Sequence, residues 1–109
     1  MDTNERLKIL IEKAASIVGS QRKLAAQLGI EHAYFMKIKR GDRPANWQLR
    51  GRLRIITGES PEHAFTTTMA EDLEESGGEE EKKAAAGFRA MLAAFPDELW
   101  RRRRDSNPR

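Results

Sequence analysis

The chain has 109 residues, no cysteine and a net charge of +3, a size that suits one domain with a modest core. Disulfides and thiolate zinc sites are excluded, and two histidines, His32 and His63, are too few to hold a metal without several carboxylates, so no cofactor is expected. The longest near-apolar runs, AAAGF and MLAAF, fall far short of the roughly 20 residues a membrane helix needs, and the amino terminus lacks a signal-peptide pattern; a cytoplasmic protein with no membrane partner is expected.

Taken in chain order, the pattern is helical throughout, and the expected fold class is all-α. Leu7, Leu10, Ile11, Ala14, Ile17 and Val18 recur at helical spacing, so a first helix buries one stripe and stops near Gly19. Ser20 caps a second helix with Leu24, Ala25 and Leu28 inward, and Gly29 ends it in the left-handed conformation. A third helix runs from about Glu31 to Arg40, burying Phe35 and Ile38, and Gly41 closes it. GDRPAN is a turn, after which Asn46 caps a fourth helix with Leu49, Leu53 and Ile56 inward and Gly58 at its end.

Ser60-Pro61-Glu62 is a strong start for a fifth helix, lined by Phe65, Met69 and Leu73. ESGGEEE reads as a flexible linker over 76–79. Beyond it a C-terminal amphipathic helix, 80–100, carries Phe88, Met91, Leu92 and Phe95 on one face and is interrupted at Pro96. So much apolar surface on a tethered segment predicts self-association or a protein partner through those four residues. The alternative is that the helix folds back over the first helix. A basic disordered tail, 101–109, completes the chain.

Charge is segregated. Residues 1–58 hold 12 Lys/Arg against 5 Asp/Glu; 59–81 hold none against 9; 82–109 hold 8 against 3. The acidic block is expected to be solvated surface. The first basic block coincides with two short helices joined at Gly29 and preceded by a packing helix, the arrangement of a DNA-binding helix-turn-helix. Ala25 is small where the second helix approaches the third, and Ile30 enters the core just after the turn.

With Gln21, Leu24-Ala25, Leu28-Gly29-Ile30, Phe35, Ile38 and Gly41 at these spacings, about residues 5 to 75 of an expected DNA-binding domain at 1–75 resemble the lambda-repressor-like, Cro-type helix-turn-helix family of phage and bacterial regulators. The resemblance implies a domain of four to five helices with base reading by His32, Ala33 and Lys37. It also implies contacts to the DNA backbone by Gln21, Tyr34, Arg40 and Arg43. The chain departs from the family at Glu31, where Ser or Thr is usual, and at Met36, where a small or polar residue is usual. Independently of the family, Phe35 and Ile38 point inward, so the outward side of the third helix is His32, Ala33, Lys37 and Arg40. Lys37 suits guanine O6 and N7, His32 a base acceptor, and Ala33 a thymine methyl. Arg22, at the start of the second helix, suits a phosphate beside free backbone amides.

The expected function is a sequence-specific transcriptional regulator, a repressor of phage or mobile-element type, binding double-stranded DNA as a homodimer. A second class puts interaction first: an antitoxin, or a phage DNA-packaging adaptor, using the C-terminal helix on a protein partner. Catalysis is not expected, because HExxH, a phosphate-cradling glycine loop and a cysteine nucleophile are all missing. The tail WRRRRDSNPR has the charge of a nucleic-acid arm. Back-translated, Trp100 also complements a tRNA's terminal CCA and Asp105-Ser106-Asn107-Pro108 the T-loop sequence, in one frame and at the right interval. On that reading the gene ends antisense within a tRNA gene, a common integration site of prophages, and the arginines are incidental.

Overall fold

The computed structural model describes residues 3–99, and within them the chain is all-α. Six helices follow one another: α1 Thr3–Val18, α2 Gln21–Leu28, α3 His32–Arg40, α4 Trp47–Ile56, α5 Pro61–Ser76 and α6 Glu79–Ala94. Residues 97–99 are again helical. Trp100 and the 101–109 tail, with the tRNA-frame reading attached to them, lie outside the described residues. No described helix is long and apolar enough to cross a membrane.

Helix boundaries are set by local chemistry. Ser20 Oγ accepts from the Lys23 amide at 3.0 Å, Asn46 Oδ1 from Leu49 at 2.8 Å, and Ser60 Oγ from His63 at 3.4 Å, so α2, α4 and α5 each begin on a side-chain cap. Gly29 (φ 72°) and Gly41 (φ 87°) terminate α2 and α3 in the left-handed region that side chains with a Cβ disfavour. Just beyond them the Ile30 and Asp42 amides reach back to the carbonyls of Ala25 and Lys37 at 2.9 Å.

One core joins α1 to α4: Leu7, Ile11, Ala14 and Ala15 meet Leu24, Ala25, Leu28, Phe35, Ile38, Leu49 and Leu53, with Leu10, Val18, Ile30 and Ile56 partly buried around them. Ile17 departs from expectation: it is 56% exposed, because 7, 11, 14 and 18 already close the stripe and 17 falls beyond its edge.

The second half is an antiparallel hairpin laid on α4. Helix α5 packs against α4 on one side and α6 on the other. Its buried positions are therefore the small Ala64, Thr67, Thr68 and Ala70 instead of a Phe65–Met69–Leu73 stripe, and Met69 is exposed. The segment read as a flexible linker is a tight turn: only Gly77 and Gly78 lie between the two helices, Gly77 with φ 79°. The far ends are tied too, since the Ser60 amide donates to Asp97 Oδ1 at 2.8 Å. Helix α6 thus folds onto α5, neither standing apart nor covering α1. Its four apolar residues divide accordingly. Phe88 and Leu92, on the side of buried Ala85, are half-buried, whereas Met91 and Phe95 are exposed.

Two glycines report on this packing in opposite senses. A Cβ on Gly51 would run into the Phe65 ring, which stacks edge-on against Trp47 with centroids 5.7 Å apart. Gly87 of α6 has open space around it. Gly51→Ala should therefore destabilise, because overpacking of ~1–3 kcal/mol outweighs the gain in helix propensity. Gly87→Ala should stabilise by up to ~1 kcal/mol. Urea denaturation of both variants measures the two signs.

The hairpin also carries a surface ion pair with a defined pH signature. Arg89 Nε and Nη2 donate to the two Glu74 oxygens at 2.9 Å, and these bonds hold the Glu74 carboxyl below its ordinary 4.5. A depressed carboxyl stabilises the fold fully above its unfolded value and loses that contribution as pH falls through the folded one. Arg89→Met should cost only ~0.2–1 kcal/mol at neutral pH, since both side chains are well exposed. In urea melts the cost should vanish at acid pH, once Glu74 is protonated.

Candidate nucleic-acid interface

Helix α3 is short, and two side chains anchor it. Phe35 is wholly buried and Ile38 nearly so. Their spacing turns Ala33, Lys37 and Arg40, at i, i+4 and i+7, to the opposite side, where all three are exposed. His32 is half-buried and sits at the edge of that face instead of its middle; Tyr34 is 45% exposed. Glu31 occupies the N-cap with extended backbone and makes no side-chain cap bond, so the first amides of α3 lack a partner from it.

The remaining candidates flank this helix. Gln21 and Arg22 form the first turn of α2, Gln21 half-buried and Arg22 exposed. Arg43 lies exposed in the 41–46 turn after α3. Arg40 is exposed but engaged, its Nε 3.2 Å from Asp42 Oδ2. Lys39, next to it, points back toward α1 and lies 3.6 Å from Glu12.

Cations elsewhere in the basic block have different work. Arg50 contacts Glu71 at 3.3 Å and Asp72 at 2.5 Å; Arg54 contacts Glu59 at 2.7 Å and Glu71 at 3.4 Å. Arg52 donates to the Leu28 carbonyl at 3.3 Å, across the end of α2. His63 Nδ1 lies 2.8 Å from Glu59 Oε1. Part of the acidic block is therefore not merely solvated surface: Glu59, Glu71 and Asp72 neutralise Arg50 and Arg54 of α4. The reading from sequence missed this pairing. Its available signal was the i, i+4 spacing of Arg50 and Arg54 opposite the adjacent Glu71-Asp72.

Exposed cations outside any ion pair are spread over the described residues: Arg6, Lys8 and Lys13 on α1, Lys23 on α2, Arg52 on α4, and Lys82 and Lys83 on α6. Among the described residues Arg22, Lys37 and Arg43 likewise take part in no ion pair and all three are exposed. They sit on the first turn of α2, the outer face of α3 and the turn that follows it. Chemically, the set offers point and fork donors for anionic oxygens, with one small apolar side chain, Ala33, among them. No group of three or more His, Asp or Glu among the described residues is arranged to hold a metal ion. Comparison with family models, with curated proteins and with solved structures finds no match.

Proposed function

We propose that the protein is a sequence-specific, double-stranded DNA-binding regulator that lays α3 in the major groove. The observation that carries this is the division of charge: α4's Arg50 and Arg54 are taken up by α5 carboxylates, while Arg22, Lys37 and Arg43 around α2 and α3 are left exposed and unpaired. Exposed cations grouped around one short helix and the turns beside it suit a polyanion. The narrow outward face of α3, with Lys37 between Ala33 and Arg40, suits a groove that admits one helix. The helix-turn-helix resemblance points the same way.

In this reading Lys37 and Ala33 contact base edges, His32 approaches from the rim of the face, and Gln21, Arg22, Tyr34 and Arg43 meet phosphates. Arg40 joins them by exchanging Asp42 for a phosphate oxygen. Two copies occupy half-sites about one helical turn apart. Repression is the simplest output, because a small module seated on a promoter excludes polymerase by occupancy. The phage or mobile-element setting rests on the resemblance alone.

Selection of bound sites from random DNA should recover one motif arranged as an inverted repeat. On that site Lys37→Ala should cost ~1–3 kcal/mol and relax preference at one base pair, whereas Arg43→Ala should weaken all sequences alike and lower the salt slope by about 1. Fluorescence anisotropy over a salt series measures both. Equal, sequence-independent losses would overturn the base-reading role of Lys37, and failure to enrich any motif would overturn the reading as a whole.

A further inference from the structure

The 41–46 turn is held at both ends and bare in the middle. At its start the Gly41 and Asp42 amides donate to the carbonyls of Ile38 and Lys37 at 3.0 and 2.9 Å. At its end Asn46 caps α4. Between them Arg43 and Pro44 are exposed. Past Arg43 and Pro44 the stretch is gripped from the protein side by Arg50, whose Nη1 donates to the Ala45 carbonyl at 2.5 Å.

That guanidinium is shared between the turn and α5. Besides Ala45, it donates through Nη2 to the Thr68 carbonyl at 3.2 Å and to Asp72 at 2.5 Å, and through Nε to Glu71 at 3.3 Å, with only 16% of the side chain exposed. A largely buried guanidinium needs both its counter-charges and its acceptors in place. Without Glu71 and Asp72 it would turn toward water and release Ala45. Pro44 passes the constraint on: its ring fixes its own φ and holds the preceding Arg43 to extended backbone.

We propose that Arg50 is the positioning residue of this turn, and that through it the α5 carboxylates Glu71 and Asp72 govern how Arg43 is presented to a phosphate backbone. The effect on affinity rests on the DNA-binding reading; the effect on the turn does not. The α5–α6 hairpin then acts on the interface without touching DNA, and a ligand or partner that strained the hairpin would reach the interface by the same route.

Arg50→Lys keeps the charge but loses the planar fork, which an ammonium on a flexible stem does not replace. In the full chain, nitrogen relaxation should show the order parameters of the 43, 45 and 46 amides falling from about 0.85 toward 0.6, while those of α1 and α2 hold. Affinity should drop about tenfold on every DNA sequence. In an Arg43→Ala background the same substitution should cost at most about twofold, because coupled residues are not additive. Should Arg50→Lys not fold, Asp72→Asn serves, with the same pattern expected at smaller size. Unchanged order parameters would overturn the positioning role whatever the chain binds. An undiminished loss in the Arg43→Ala background would overturn its route through Arg43. A wild-type chain that binds no DNA would sink the functional reading, while relaxation still decides the role of Arg50.

Discussion

The burial of Phe35 and Ile38 is the constraint on which the candidate interface depends. Helix α3 has nine residues, too few to be stable on its own in water. Its position comes from these two side chains, each worth roughly 1.5–3 kcal/mol on burial, and from a left-handed glycine beyond each end. Because the anchors lie three residues apart, they fix the rotation of the helix as well as its depth. The outward positions of Ala33, Lys37 and Arg40 follow from that rotation. Gly41 adds a steric condition, since a Cβ there would meet the Asn4 side chain at 3.1 Å, so the turn lies close against the start of α1.

A second constraint is electrostatic. The chain carries 20 basic and 17 acidic residues, enough for most charges to pair within the fold. Some pairs are local, but longer-range ones follow topology: α5 is set against α4, so its carboxylates reach Arg50 and Arg54, 17 to 22 positions away. Helices α2 and α3 lie outside that reach. Arg22 and Lys37 there stay in water at no desolvation cost, which is also the state from which they can meet an anion most readily.

Features encoded within four residues were legible in the sequence. Ser20, Asn46 and Ser60 cap helices as their chemistry requires, Gly29 and Gly41 end them, and Phe35 and Ile38 point inward from spacing alone. Features that depend on which helix packs where were not. Ile17 satisfies the periodicity of α1 but falls past the edge of the surface α2 to α4 cover. Met69 looked like core because α5 was read as having one buried side, whereas it has two, built of Ala and Thr. Gly77-Gly78 reads equally as a linker or as a hairpin turn, and what decides is Ala85 meeting α5, a contact invisible in a local window. The candidate interface was legible as a cluster of residue types; the half-burial of His32 and the engagement of Arg40 by Asp42 required the fold.

The carboxylates that α4 does not use bear on orientation. Glu75, Glu79, Glu80 and Glu81 are exposed around the Gly77–Gly78 turn, at the end of the hairpin opposite the tie between Ser60 and Asp97. On the DNA-binding reading, a duplex approaching that end meets repulsion, whereas one approaching α2 and α3 meets Arg22, Lys37 and Arg43. The difference acts over about a Debye length, ~8 Å at physiological salt, so it biases encounters near the surface more than it strengthens the bound state. The acidic block then has two separable roles within one hairpin. On the proposed coupling, Glu71 and Asp72 act by contact, through Arg50 on the turn beyond it, and depend little on ionic strength because they are partly shielded from solvent. The carboxylates at the turn act by field alone, and salt removes their influence first.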